Sequence, residues 1–242
     1  MRIAVISDIH GNLHALEAAL AAIDEQGPDA IWCLGDLVGY GPRPNECTAI
    51  VAERADICLV GNHDLGVTGA IGLHEFSPDA AAAARWTQGV LDERAGAFLR
   101  ALKPAATIEG AELFHASPRD PVWDYILTAD GAYDALNKTT APLVLVGHSH
   151  VALAVVLADG HLSGGLAPDA TRLELAEGRW LINPGSVGQP RDGDPRAAYL
   201  WLDLDGMFAT FHRVEYPVEQ TQAELRERGL PESLAARLAL GQ

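Results

Sequence analysis

Ile3-Ala4-Val5-Ile6-Ser7-Asp8-Ile9-His10 runs from a short apolar stretch straight into an aspartate and a histidine. Four later segments do the same: Ile31-Trp32-Cys33-Leu34-Gly35-Asp36, Ile57-Cys58-Leu59-Val60-Gly61-Asn62-His63-Asp64, Leu113-Phe114-His115 and Leu143-Val144-Leu145-Val146-Gly147-His148-Ser149-His150. An apolar run of roughly four to eight residues reads as a strand buried on both faces. The polar residue after it lies at the strand's carboxyl end, and open α/β sheets bind ligands in the crevice outside those ends. Five such ends can gather Asp, His and Asn side chains around one point, a donor set suited to divalent metals.

The residues between these segments supply connections. Asn12 is placed to cap a helix carrying Leu13, Leu16, Leu20 and Ile23 on one face, and Gly27-Pro28 stops it. A helix over about 45–54 and a third strand over 57–60 complete a β-α-β-α-β opening. That order predicts parallel strands joined by right-handed crossovers. Residues 65–76 are Gly-rich and read as a loop, Ser77-Pro78 opens an Ala-rich helix, and a further helix over 92–102 ends before Pro104. Strands are expected over 151–157, 161–166, 171–175, 180–182, 198–202 and 207–214, with turns at Asp159-Gly160, Glu177-Gly178 and Asp205-Gly206. The tail from Pro217 reads as two short helices. The order suggests a parallel sheet packed on a largely antiparallel one, with helices on both outer faces. One domain spanning 1–242 is expected, the helices from about 217 packing on it.

Bulk composition narrows the function. The chain is 48% hydrophobic and 21% charged, which predicts a globular core and not disorder. A formal net charge of −16 repels polyanions and argues against long nucleic acid as a partner. A small phosphorylated substrate stays compatible, because bound cations invert the local field. Cys33, Cys47 and Cys58 form no C-x-x-C pair and read as small buried hydrophobes. No basic-then-apolar leader opens the sequence and no apolar run reaches membrane-spanning length, so a cytoplasmic protein without a membrane partner is expected.

Taken as one site, the residues suggest a mechanism. Asp8 and His10 lie two apart, so an extended backbone would point both to the same side. Asp36 has two carboxylate oxygens and can bridge two cations. Asn62 offers an amide oxygen, His115 and His148 offer imidazole nitrogens, and His150 is placed to serve the other cation. Two cations about 3.5–4 Å apart can clamp an in-line displacement at phosphorus and supply a hydroxide near neutral pH. His63 can donate to a leaving oxygen, with Asp64 orienting its imidazole. Each piece alone also reads as a helix cap, a turn residue or a surface histidine; the set in this order does not.

The order D-x-H, G-D, G-N-H-D, H, G-H-S-H strongly resembles the calcineurin-like metallophosphoesterases, over Asp8 to His150. The resemblance implies a four-layer α/β/β/α sandwich of two mixed sheets flanked by helices. It implies one metal on Asp8, His10, Asp36 and His150, a second on Asp36, Asn62, His115 and His148, and His63 as the catalytic histidine. Two divalent transition-metal ions are expected, Mn first, with Fe, Zn, Ni or Co compatible. A homodimer is compatible with the family. The chain departs from the protein-phosphatase-like and diadenosine-tetraphosphatase members at Gly39-Tyr40, where those read Asp-Arg, so their phosphate-binding arginine is absent. It looks closer to small bacterial and archaeal phosphodiesterase-like members, whose pattern includes H-G-S-P-R-D-P and N-P-G-S-V-G-Q-P-R. Ala116 replaces the first Gly here and is expected to narrow the site. The second pattern, at 183–191, either brings Ser186, Gln189 or Arg191 to a phosphate or serves as a rigid connection. His14 at a helix start, Arg43 and Arg119 read mainly as surface groups, and Trp123 and Tyr125 as pocket walls or packing.

The expected activity is hydrolysis of small phosphodiesters, phosphomonoesters or both. Hydrolysis of a dinucleoside polyphosphate or another nucleotide anhydride is the alternative within enzymes. A non-catalytic scaffold on the same fold is the alternative outside them.

Overall fold

Alternation along the short apolar strands decides the layering. The computed structural model describes residues 1–108 and 110–242. β1 (Arg2–Ile6), α1 (Leu13–Gln26), β2 (Ala30–Cys33), α2 (Pro44–Arg54) and β3 (Ile57–Cys58) form the expected opening, with β1, β2 and β3 parallel. α1 starts where predicted: Asn12 Oδ1 accepts from Ala15 N at 3.2 Å, and Gly27 ends the helix in the left-handed region. Next come α3 (Asn62–Val67), α4 (Pro78–Val90), α5 (Glu93–Ala101), β4 (Ala105–Ile108), β5 (Ala111–Phe114), α6 (Ala129–Leu136) and β6 (Leu143–Leu145). The last part holds β7 (Leu153–Ala158), β8 (His161–Leu166), β9 (Arg172–Glu174), β10 (Arg179–Asn183), β11 (Ala197–Asp203), β12 (Phe208–Val214), α7 (Val218–Glu227) and α8 (Glu232–Leu238).

Both sheets are mixed and six-stranded, ordered β3-β2-β1-β11-β12-β9 and β4-β5-β6-β10-β7-β8. This corrects the expectation of one parallel and one largely antiparallel sheet. The late strands divide: β9, β11 and β12 join the parallel β1–β3 set, and β7, β8 and β10 join β4–β6. The segment 65–76 is also less irregular than expected: α3 runs to Val67, and Leu73–Glu75 form a 3-10 turn.

Ile3 and Val5 of β1 face Leu113, Leu145 and Ile182 of the other sheet, whereas Ala4 and Ile6 face Leu16, Leu20 and Ile23 of α1. On the far side, Val144 and Leu181 pack against Ala132, Ala135 and Leu136 of α6. The result is helices, sheet, sheet, helix: the four-layer α/β/β/α sandwich. Each fully buried Leu or Ile contributes about 1.5–3 kcal/mol. Cys33, Cys47 and Cys58 are free thiols. Among the described residues, no helix is long and apolar enough to cross a membrane.

The packing brings two sets of strand ends together. Asp8 N donates to Gly35 O at 2.9 Å within one sheet, and Gly147 N donates to His115 O at 2.8 Å within the other. His115 Nδ1 crosses between them to Leu34 O at 2.9 Å.

Candidate metal centre

All seven sequence-selected donors are buried. Donor atoms of Asp8, His10, Asp36 and His150 lie within 4.8 Å of one another, and so do those of Asp36, His115 and His148. Asp36 belongs to both groups. Its Oδ1 accepts from His63 N at 2.9 Å, while its buried Oδ2 has no hydrogen-bond partner. His10 Nε2 stands 3.6 Å from that oxygen and His115 Nε2 3.5 Å. The Asn62 amide reaches His115 Nε2 at 3.2 Å.

The imidazoles are oriented from behind. His10 Nδ1 donates to Val38 O at 3.1 Å, His150 Nδ1 to Gln189 O at 2.6 Å and His115 Nδ1 to Leu34 O at 2.9 Å. A carbonyl only accepts, so each neutral ring carries its hydrogen on Nδ1 and presents a bare Nε2 to the centre. His10 Nε2 and His150 Nε2 are only 3.0 Å apart. Two lone pairs facing each other in a buried site repel unless a cation or proton lies between them. Burial drives the His10 and His150 pKa values well below normal and His148 down to about 2, so none of the three gains a proton readily. His148 Nε2, like Asp36 Oδ2, is buried without a partner. Burial also pushes Asp8 up to about 7 and, with Asp64 adding to it, Asp36 well above the carboxylate range. Divalent cations reverse that logic by supplying positive charge where the protein has none. The donor set therefore fits them.

The backbone at these donors is unusual. Asp8 (φ 55°), His10 (φ 50°), Asp36 (φ 54°), His148 (φ 64°) and His150 (φ 59°) all occupy the left-handed region. This corrects the extended D-x-H geometry: the strand ends at Ile6, and Asp8 and His10 converge through two left-handed residues. Such conformations cost about 1–3 kcal/mol each and cluster at functional sites. Their cost is offset by a clasp from 183–191. Ser186 Oγ donates to Asp8 O at 2.7 Å, Gly188 N to Asp8 O at 2.9 Å, and Asn183 Nδ2 to Gly147 O at 2.7 Å. Ser186 and Gly188 thus fix the Asp8 backbone, Gln189 O orients the His150 ring, and of Ser186, Gln189 and Arg191 only Arg191 lines the cleft.

His63 is buried beside the donors, its ring 4.3 Å from Tyr40 and 4.8 Å from His10 between centroids. Its Nδ1 has no partner. Asp64, expected to orient that ring, does not touch it. Its Oδ1 accepts from Leu37 N at 2.9 Å and Val38 N at 3.0 Å, and its Oδ2 from Gly61 N at 3.0 Å. Three backbone amides satisfy the carboxylate, so Asp64 ties two ligand loops together. Gly39 lies against the imidazole instead; a Cβ there would fall 2.4 Å from His63 Nδ1. Ala116 does not narrow the site, since it is buried in the turn closed by its own N–H on Pro121 O at 3.0 Å. Arg43 and His14 are held by Glu224 at 2.8 and 3.4 Å, and Arg119 by Asp124 at 2.6 Å, away from the cleft.

A cleft of ≈ 690 Å³ opens over the centre. Asn62, His63, Tyr40, Tyr125 and Arg191 line its inner end, and Tyr125 stacks on His148 at 3.9 Å. Trp123 and Phe76 form a wall, in edge contact at 5.4 Å. Sequence reasoning missed Phe76 because 65–76 read as a loop. It missed a second wall, on α8 and the residues after it, because an amphipathic helix reveals its buried side only.

Gly61 is required beside a donor. A Cβ at Gly61 would fall 2.0 Å from Asp36 Oδ1. Gly61→Ala is therefore expected to displace Asp36, weaken divalent-metal binding and cost about 1–3 kcal/mol of stability. Thermal unfolding with and without Mn²⁺ measures both; a variant stabilised by Mn²⁺ as strongly as the parent contradicts it.

The calcineurin-like phosphoesterase superfamily domain model matches residues 1–207, leaving β12, α7 and α8 outside the match. An uncharacterized protein of Methanocaldococcus jannaschii is 39% identical over 246 residues, covering 99% of this chain and 98% of its own length. The crystal structure of a metallophosphoesterase from Sphaerobacter thermophilus is 45% identical with a TM-score of 0.90, covering 100% of this chain and 99% of that one. A hypothetical protein from Pyrococcus horikoshii, 22% identical with a TM-score of 0.79, covers 100% and 98% and shares the fold.

Proposed function

The chain belongs to the calcineurin-like phosphoesterase superfamily, and from that premise we propose that it is a metal-dependent hydrolase of small phosphodiesters and phosphomonoesters. The observation that carries this reading is the unbonded, buried Asp36 Oδ2 with His10 and His115 Nε2 at 3.6 and 3.5 Å. A carboxylate oxygen and bare imidazole nitrogens buried together are costly without cations.

In this reading Asp8, His10, Asp36 and His150 hold one ion, and Asp36, Asn62, His115 and His148 the other. Divalent ions there supply Lewis-acid polarisation of the phosphoryl oxygens and a nucleophilic water near neutral pH, and a nitrogen and oxygen donor set without thiolate suits Mn, Fe, Co, Ni or Zn. The chain's own groups do the rest. Arg191 is bonded to Tyr40 Oη at 3.2 Å and Gln189 Oε1 at 3.0 Å, which leaves guanidinium hydrogens for a phosphoryl oxygen. Its contact with Tyr40 puts positive charge at the position where the Asp-Arg pair of related phosphatases is missing. His63 stands at the inner end of the cleft to protonate or hold the leaving oxygen. Tyr125, against His148, shields the centre from water.

Chelator-treated protein is expected to hydrolyse bis(4-nitrophenyl) phosphate only after Mn²⁺ is restored, with a gain on the order of 10³-fold. 4-Nitrophenyl phosphate and a dinucleoside polyphosphate complete the panel. No turnover with Mn²⁺, Co²⁺, Ni²⁺, Zn²⁺ or Fe²⁺ overturns the reading in favour of a scaffold. Turnover of the anhydride alone moves it to nucleotide anhydride hydrolysis.

A further inference from the structure

The side of α8 turned away from the core forms a wall of the same cleft. Leu234, Ala235 and Leu238 are buried with Leu225, Leu230 and Ala83. Ser233, Ala236 and Arg237, followed by Leu240 and Gln242, line the cavity. This wall is fixed in place. Ser233 Oγ donates to Asp79 at the start of α4, Gln222 Nε2 donates to Ala235 O at 2.9 Å, and Gly193 N donates to Gly241 O at 3.0 Å. The last bond ties the wall to the loop that carries Arg191. The two arginines therefore reach one cavity from a single braced unit.

Both bring positive charge to the cleft. With 17 Lys and Arg against 33 Asp and Glu, basic side chains have carboxylates to spare. Arg43, Arg119, Arg196 and Arg226 all make ion pairs. Among the described residues neither Arg191 nor Arg237 has a carboxylate at ion-pairing distance. Arg237 makes one side-chain hydrogen bond, from Nε to Ser233 O at 3.3 Å, so both terminal amino groups remain available. Glu75, beside His74 at 3.6 Å, is the acidic side chain on the cleft's rim. The same cavity is lined by Phe76 and Trp123 and by the half-exposed Leu240. The volume of ≈ 690 Å³ is that of a site for a whole organic ligand and exceeds what one phosphate fills.

Resting on the phosphoesterase reading, we propose that Arg237 determines specificity by binding an anionic group other than the scissile phosphate, the substrate class being phosphodiesters that carry a flat ring and a second phosphate. The ring would lie along Phe76 and Trp123, the scissile phosphate at Arg191 and the second anion at Arg237.

Two chromogenic esters test this on the Mn²⁺-loaded protein: thymidine 5′-(4-nitrophenyl phosphate), and the same ester with a 3′-phosphate. The 3′-phosphate is expected to lower KM about tenfold, the size of one charge-assisted hydrogen bond. Arg237→Gln should abolish that advantage while leaving kcat, and KM for the plain ester, within about twofold. Arg237→Lys should keep most of it. Calorimetric binding of thymidine 3′,5′-bisphosphate against thymidine 5′-monophosphate should give the same ordering without turnover. Equal effects of Arg237→Gln on both esters, or no benefit of the 3′-phosphate in the parent protein, overturn the assignment. Failure of the parent to hydrolyse either ester or any member of the earlier panel overturns the phosphoesterase reading instead.

Discussion

Asp36→Asn is expected to reduce turnover by on the order of 10³-fold, several kcal/mol of transition-state stabilisation, and to deplete metal from both donor groups. No other donor is shared between the two groups. The asparagine keeps the shape, and its amide oxygen still accepts from His63 N, so the loop after β2 stays closed. What changes is the second atom. An amide nitrogen would replace Oδ2 between His10 Nε2 and His115 Nε2, now at 3.6 and 3.5 Å. It donates to those bare nitrogens and would do for them what a bound cation would do in the parent. The metal-free variant should therefore unfold no lower than the metal-free parent, while Mn²⁺ should raise the parent's unfolding midpoint much more than the variant's. Elemental analysis and thermal unfolding on the same samples read both effects. A variant with parental metal content would remove Asp36 from the role of bridge.

The parts of this site legible in the sequence are those that depend on local pattern. An apolar run ending in a polar residue reports a strand end whether or not its partner strand is known. That is why Asp8, Asp36, Asn62, His115 and His148 could be picked from single segments. The division of the late strands between two sheets was not legible, because their pairing is decided by distant partners. β4 was missed because an Ala-rich segment of 4 residues gives little periodic signal, and α6 was passed over although Ala132, Ala135 and Leu136 form a buried face at helical spacing. Adjacency misled at Asp64. In α3 the side chain after His63 points elsewhere, toward Leu37 and Val38, because successive helical residues do not share a face. The left-handed backbone at five donors has no simple sequence mark, since Asp and His do not announce it as glycine does.

His63→Ala should separate chemistry from metal binding: kcat is expected to fall by about 10²–10⁴-fold with metal content and KM little changed. The separation follows from how position 63 is used. Its contact with the candidate centre runs through the backbone, His63 N to Asp36 Oδ1 at 2.9 Å, and any residue at that helical position preserves it. The side chain lies at the inner end of the cleft among Tyr40, His10 and Phe76, and it has no carboxylate behind it. Gly39 and the backbone-bonded Asp64 leave Nδ1 without a partner, so the imidazole's role has to come from what it meets in the cleft. Glutamine roughly fills the space and can still donate a hydrogen bond, but it cannot deliver a proton. If the role is to hold a phosphoryl oxygen, Gln should recover much of what Ala loses; if it is to protonate the leaving oxygen, Gln and Ala should be alike. An ester with a strongly acidic leaving group, which needs little protonation, should then suffer least from either change. Retention of parental turnover by His63→Ala would exclude both roles, and loss of metal by His63→Ala would make the residue part of the centre's scaffold.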